Sequence, residues 1–471
     1  MNERSMRVRW FGAAPFMVAA SLSLAACVPS VREVESPVRS TLRTRMSDEP
    51  GDRAAATAAL AQPLTRASVR ALALSSPRVE AALASLGVAA GDAAAMRALG
   101  RTEIGAALYL NDGGGLVGGD VEVVHDVLDL MLLAPRRRAG DAHLSAAQAR
   151  AAGEIVAIVG AADEAYVNVA AATDAAATAR TQFDAAAAGA DLIERIHTAG
   201  GTTDLALARE QAVREEARLM LARAETAVEV SREELNAVLG LRGAETRWLV
   251  GDGVAELPAA APTLDDLEST AVATSLELAA LRADALAAAN RARVAGVKAW
   301  MPELSAGVVA EHHEGGWYPG PTVQVGLPLF GGERGQAAAA RARQREVMAR
   351  TGAIAIEVRA RARAARMRAL SAYDEARHLR DVLLPLRRRV LDETVLQYNA
   401  MNAGPLELLA ARRELARAEL ELGDARRRFA SAMIAVDTLR RGGAVAGGAG
   451  GGAPATGHTI STPGDAGGGG H

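Results

Sequence analysis

The sequence predicts a mostly α-helical chain with a smaller β contribution, built twice from one unit: a β-hairpin followed by a long antiparallel helical hairpin. Short stretches alternate apolar and polar residues, as in Leu304-Ser305-Ala306-Gly307-Val308-Val309-Ala310-Glu311 and Thr322-Val323-Gln324-Val325-Gly326-Leu327. That is the period of a strand with one apolar face. Long Ala/Arg/Glu-rich runs follow each pair of strands and break once, at Gly200-Gly201 and at Met401-Asn402-Ala403-Gly404-Pro405. The copies align without gaps around these breaks. Asp204-Leu205-Ala206-Leu207-Ala208 lies over Pro405-Leu406-Glu407-Leu408-Leu409, and His197 over Tyr398. An internal repeat of this length is the main architectural signal in the chain.

Composition narrows the class. The 471 residues carry a formal net charge of −3, which argues against a nucleic-acid partner. Half are hydrophobic but only 3% are aromatic, and Ala is abundant. That suits long helices packed through small side chains better than a compact core built on rings.

Residues 1–26 read as a signal peptide: Arg4, Arg7 and Arg9 precede an apolar stretch from Phe11 to Leu24, then Ala25-Ala26-Cys27. Cys27, directly after the small residues, resembles the acylated cysteine of a bacterial lipobox; the other reading is an ordinary signal peptide with an incidental cysteine. It is the single cysteine, so no intrachain disulfide can form. Residues 27–66, with Pro29, Pro37, Pro50 and Pro63 among many charges, read as an extended, lipid-anchored lead-in. No other run reaches the roughly 18–20 uncharged apolar residues of a spanning helix.

The first repeat covers 67–241. Its β-hairpin is expected at about 102–126, around the turn signal Asn111-Asp112-Gly113-Gly114-Gly115, and its helical hairpin at about 142–240. An inter-repeat segment, 242–263, holds Trp248, Pro258 and Pro262. The second repeat covers 264–441, with a β-hairpin at about 301–328 and a helical hairpin at about 336–440. A Gly/Pro/aromatic loop from His312 to Gly320 separates its strands. Residues 442–471, rich in Gly, Ala and Pro, are expected to be disordered. Each outgoing helix, roughly 55–60 residues or about 85 Å, is too long to bury its apolar stripe inside one compact domain. It must pack along other long helices. Asp204 and Pro405 stand where an N-cap or first-turn residue is wanted. Gly200 and Gly404 are expected to need backbone angles that β-branched side chains resist. Taken alone the strands read first as a soluble sheet with one wet face; their length is also the roughly 9–11 residues that cross a bilayer at a tilt, and the attached long helices favour that second reading.

Chemistry is scarce: no phosphate-binding Gly loop, no nucleophile elbow, no His/Cys metal cluster. No catalytic residue and no cofactor beyond the lipid on Cys27 is expected. Glu311, His312, His313 and Glu314 could gather a metal ion or lie on a wet external loop, and His458 and His471 are weaker candidates in the tail.

Five stretches, with the duplication and the lipobox, resemble the TolC-like outer membrane factors of Gram-negative bacteria over roughly residues 65–440. They are Trp300-Met301-Pro302-Glu303-Leu304, Gly326-Leu327-Pro328-Leu329-Phe330-Gly331-Gly332, Ala199-Gly200 with Asp204-Leu205, Glu234-Leu235-Asn236-Ala237-Val238-Leu239-Gly240-Leu241, and Glu407-Leu408-Leu409-Ala410-Ala411-Arg412. The resemblance implies a homotrimer in which each protomer gives four strands to a shared twelve-stranded membrane β-barrel and four long helices to a periplasmic α-helical tunnel. Closure by other chains agrees with the physics, because four strands leave two open edges that lipid cannot satisfy. It implies an exit duct of a tripartite efflux or type I secretion-like system, passing substrate from an inner-membrane transporter and periplasmic adaptor through outer-membrane lipid to the exterior.

On this resemblance Gly200, Gly201, Thr202, Asp204, Met401, Asn402, Gly404 and Pro405 would form adaptor-docking helix tips, and Tyr398 and Glu407 a periplasmic gate. Other readings stay open: turn geometry for the glycines, helix packing for Tyr398, a solvated carboxylate for Glu407. Ala410 and Ala403 stand where relatives carry a second gate carboxylate and its arginine partner, so any closing network must differ. Gly100-Arg101 departs from the usual Asn-Pro-type strand entry. Gln397-Tyr398-Asn399-Ala400-Met401 looks like a branch associated with metal resistance. The competing class is a lipid-anchored periplasmic coiled-coil scaffold or adaptor. Adaptors have one helical hairpin and a lipoyl-like β domain, whereas this chain has two hairpins and no such domain.

Overall fold

A computed structural model describes residues 30–46, 51–110, 116–313, 316–328 and 331–444. The signal peptide, Cys27, the Asn111–Gly115 turn, Glu314, Phe330 and the tail from residue 445, with His458 and His471, lie outside the described residues.

The segment read as extended is largely helical where it is described. α1 (Val31–Met46) and α2 (Arg53–Ala58) precede α3 (Arg66–Leu74) and α4 (Pro77–Arg97). In α1, Val34, Val38, Leu42 and Met46 recur every fourth position and are all buried. Such a stripe makes a packed helix even among prolines and charges. Pro37 removes one helical donor, and Ser36 Oγ donates to the freed Glu33 carbonyl at 3.2 Å. Arg45 of the same helix donates to the carbonyls of Thr274 and Arg441. Burial holds its guanidinium below the ordinary arginine pKa.

Strands β1 (Thr102–Leu110) and β2 (Leu116–Asp126) lead through α5 (Val127–Met131) into α6 (Leu133–Thr198). α6 starts well before residue 142, because Pro135 falls in the first turn, where no N–H is needed. α7 (Asp204–Leu239) returns antiparallel; α8 (Leu267–Thr274) and α9 (Leu276–Lys298) follow the connector. β3 (Leu304–His313) and β4 (Gly316–Val325) form the second hairpin. Most of the expected His312–Gly320 loop is strand: Trp317 pairs with His312, Tyr318 with Glu311 and Pro319 with Ala310. Trp and Tyr favour strands, and Pro319 and Pro321 are tolerated because β4 is an edge.

The second outgoing helix is α10 (Gly332–His378), a π-helical turn (Leu379–Leu383) and α11 (Leu384–Asn399); α12 (Pro405–Arg440) returns. The π turn sits just before Pro385, whose ring cannot follow a regular α turn.

Long helices pack side by side, with α6 against α4, α7, α9 and α12. The largest core gathers Leu42, Leu72, Leu86, Ile155, Leu235, Leu239 and Trp248. A stretch within α6 is long and apolar enough to cross a membrane, contrary to the sequence reading, but 67% of that window is buried inside the protein. The inter-repeat segment wraps this body. Trp248 Nε1 donates to Asn236 at 2.9 Å, Tyr166 Oη to the Leu64 and Asp252 carbonyls at 2.8 and 3.0 Å, and Tyr373 Oη to Ala259 at 3.1 Å. The fold is therefore elongated helices with a sheet at one end and helix turns at the other.

Candidate functional site: the two-faced sheet and the helix tips

The four strands form one antiparallel sheet in the order β1-β2-β3-β4, so both hairpins join through β2 and β3. Register fixes the faces. Ile104 faces Val123, which faces Val308; Ala106 faces Val121; Ala306 faces Val323; Leu304 faces Val325. These share one face, and it is bare: Ile104 is 71% exposed, Leu108 73%, Val323 66%. The opposite face carries Glu103, Asp120, Glu122, Glu311, Thr322 and Gln324. There Tyr109 Oη donates to Asp120 at 2.5 Å and Gln324 Nε2 to Glu122 at 3.1 Å. Gly307 has no room for a side chain, since a Cβ there would collide with the Val123 carbonyl. An apolar sheet face this wide in water is a site of association or membrane contact. β1 and β4 leave open edges.

His312 and His313 do not gather around one point. His313 Nε2 lies 3.0 Å from Glu311 on the polar face, while His312 sits against Trp317, ring centroids 5.2 Å apart, on the apolar one. Among the described residues no group of three or more His, Cys, Asp or Glu could hold a metal ion.

At the first tip, Gly200 takes φ 75°, its N–H donates to His197 O at 2.8 Å, and Gly201 N–H donates to Ile196 O at 2.9 Å. This is the left-handed helix stop that glycine favours. Thr202 is half-buried beside it. Thr203, not Asp204, is the N-cap of α7, accepting from Ala206 N at 3.3 Å. Asp204 occupies the first turn, with Oδ1 2.7 Å from His197 Nε2. At the second tip the left-handed residue is Met401, φ 61° and 94% exposed. Asn402 N–H reaches back to Gln397 O at 2.8 Å. Gly404 is an ordinary extended N-cap at φ −81°, with Pro405 opening α12, so the expectation of special angles at Gly404 is corrected. Gly200 and Met401 are the equivalent positions.

Glu407 lines an open groove of about 370 Å³ with Arg389, Glu393, Gln397 and Ala403. Tyr398, 37% exposed, does not line it. Behind the tips, Glu210 of α7 is buried and holds Arg413 of α12 at 3.2 Å. Nothing in the sequence marks either residue, each one of many of its charge.

No family model matches the chain, and no curated protein matches it. Solved structures do. Outer membrane protein VceC of Vibrio cholerae superposes with TM-score 0.67 at 18% identity, covering 80% of this chain and 96% of that one. The CmeC outer membrane channel of Campylobacter jejuni gives 0.64 at 15% identity, over 80% and 86%. The MtrE outer membrane channel of Neisseria gonorrhoeae, in its open state, gives 0.59 at 15%, over 80% and 89%. At these identities the likeness is one of fold: duplicated strands and long helices give this chain the architecture of a TolC-like outer membrane factor.

Proposed function

We propose that this protein is the outer-membrane exit duct of a tripartite efflux or type I secretion-like system. The observation that carries the reading is the sheet: a bare, predominantly apolar face, a carboxylate-bearing face behind it and two unpaired edges. A soluble scaffold would bury the first and cap the edges. A closed barrel shared by several copies puts the apolar face on lipid, the acidic face on a water-filled lumen and leaves no edge. Twelve strands from a homotrimer satisfy this.

The helices then form a periplasmic tunnel ending at the two tips. Those tips, Gly200, Gly201, Thr202 and Asp204 with Met401, Asn402, Gly404 and Pro405, dock a periplasmic adaptor that joins an inner-membrane transporter. Tyr398 and Glu407 stand at the entrance as gate residues. The protein performs no catalysis and uses no cofactor besides a lipid on Cys27. Val31, where α1 starts, is four positions after Cys27, a reach of at most about 14 Å, so the anchor holds the helical body close to the membrane.

The test is fractionation. The protein is expected in the outer-membrane fraction as a detergent-stable trimer, labelled by radioactive palmitate in the native chain and unlabelled in Cys27→Ser. A soluble periplasmic monomer overturns the duct; undiminished labelling of the variant overturns the anchor.

A further inference from the structure

We propose that the cavity at the junction of sheet and helices binds the phosphodiester headgroup of an anionic phospholipid. The proposal rests on the reading of the sheet as membrane-embedded. The end of α4, the start of α6, the end of α9 and the start of α10 border an open cleft of about 270 Å³, lined by Met96, Arg136, Arg291, Lys298, Glu333 and Gln336. It is smaller than the roughly 300–1,000 Å³ of a drug-sized ligand pocket, but large enough for a headgroup.

The charges in its wall do not cancel. Arg136 Nη1 and Lys298 Nζ share the single carboxylate of Asp129, each at 2.8 Å. Arg136 Nη1 is buried, and the Asp129 carboxylate it shares with Lys298 is the one acid paired with either cation among the described residues. Arg291 has no ion pair among the described residues; its guanidinium lies 3.9 Å from the Met96 thioether, a weak acceptor. Three cations thus stand against Asp129 and Glu333. The start of α10, which has no side-chain cap, adds the partial positive charge of a helix N-terminus. A phosphate oxygen supplies the acceptor that Arg291 lacks and a second one for Arg136, whose carboxylate is shared, and planar guanidinium groups suit phosphate oxygens.

Position selects a lipid over a free anion. The cavity lies where the bare apolar sheet face stops. Trp300 is 72% exposed at the same level, with the Arg334 guanidinium 5.5 Å from its ring centroid. Met131 at the end of α5 and Leu327 just after β4, both next to the sheet along the chain, are exposed apolar side chains as well. An aromatic with one dry and one wet side, capped by arginine, belongs at a membrane–water boundary. A phospholipid with its acyl chains along Val323 and Val325 would bring its phosphate to this depth.

The experiment uses full-length, delipidated protein in detergent, titrated with phosphatidylglycerol, phosphatidylcholine or inorganic phosphate and read by native mass spectrometry and thermal melting. Phosphatidylglycerol is expected to be retained and to raise the Tm, while the other two have little effect. Arg291→Gln should bind it about five- to tenfold more weakly, the loss of one charge-assisted contact. Arg293→Gln removes the same charge two residues further along α9, about 200° around the helix and outside the cavity lining, and should bind as the native chain does. Equal binding by all three proteins overturns the site. Equal stabilisation by inorganic phosphate overturns the lipid assignment. Co-flotation with phosphatidylcholine vesicles separates the two readings: insertion without a phosphatidylglycerol preference removes the headgroup site alone, and failure to insert in any vesicle removes both.

Discussion

Arg413 on α12 donates Nη1 to both carboxylate oxygens of Glu210 on α7, at 3.3 and 3.2 Å. Glu210 is 5% exposed and Arg413 42%, so the acid is buried and the base half in water. The two helices belong to different repeats, and the pair lies a short way inside both tips. It joins the hairpins where the resemblance to known channels leads one to expect a gate, but with residues other than those the resemblance suggests. Arg413→Ala strands a buried carboxylate and should cost about 1–3 kcal/mol. Glu210→Gln leaves an arginine free to hydrate and should cost less. If the pair also restrains the tips, Arg413→Ala will raise single-channel conductance in planar bilayers. Unchanged melting and conductance in Arg413→Ala would show that the pair restrains nothing.

The tips make opposite demands on substitution. Gly200 and Met401 both occupy the left-handed region, where an L side chain costs roughly 1–2 kcal/mol. Met401→Gly should therefore stabilise the second turn, and Gly200→Val should weaken the first. Gly404→Val should be close to neutral, because its backbone is extended and nothing lies within 4 Å of a Cβ there. Adaptor binding and thermal melting of the three variants check this order; a Gly404→Val defect as large as that of Gly200→Val would contradict it.

The sheet faces should respond unequally. Val323→Arg and Val325→Arg place charge on the apolar face and should cost about 2–4 kcal/mol at the bilayer midplane, seen as lost trimer in the outer membrane. Thr322→Arg, on the acidic face, should assemble. Gln324→Ala loses one hydrogen bond to Glu122, about 1 kcal/mol. Equal assembly defects on both faces would place lipid elsewhere.

Glu407 is exposed in its groove beside Arg389 and Glu393. Three copies around an entrance would reinforce one another and attract cations. Glu407→Ala is expected to lower cation selectivity in planar-bilayer recordings, most visibly at low salt, where screening is weak. Identical reversal potentials for native and variant channels would remove Glu407 from the entrance.

Local patterns made much of this legible. Period-2 alternation put Val323 and Val325 on one face and Gln324 on the other, and the structure keeps that division. The repeat located both tips, because a break in a long helix is a sequence event. What stayed hidden depended on distance or context. The stripe Val34, Val38, Leu42 and Met46 was masked by Pro37 and its charged neighbours, and only burial against α6 reveals it as a helix. Trp317 to Gly320 looked like a loop because its prolines were weighed without knowing that β4 is an edge. Met401 carries no local sign of a left-handed residue, since glycine is the usual one and Gly404 stood nearby as a decoy; only the alignment of the repeats, which sets it over Gly200, points to it. Glu210 and Arg413 are 203 positions apart, and no local rule pairs them. The junction cavity likewise needs four helix ends that meet only in space.

The contact of Arg45 with the carbonyls of Thr274 and Arg441 ties the beginning of the described chain to its end, at mid-length of the shaft. The described chain is in effect buckled at the waist, and neither of its ends lies in the sheet or at a tip. Shortening the chain from the front would therefore unfasten the belt while leaving both extremities whole. Loss of residues up to Met46 should first appear as slack between the two repeats, well before any strand or turn is touched.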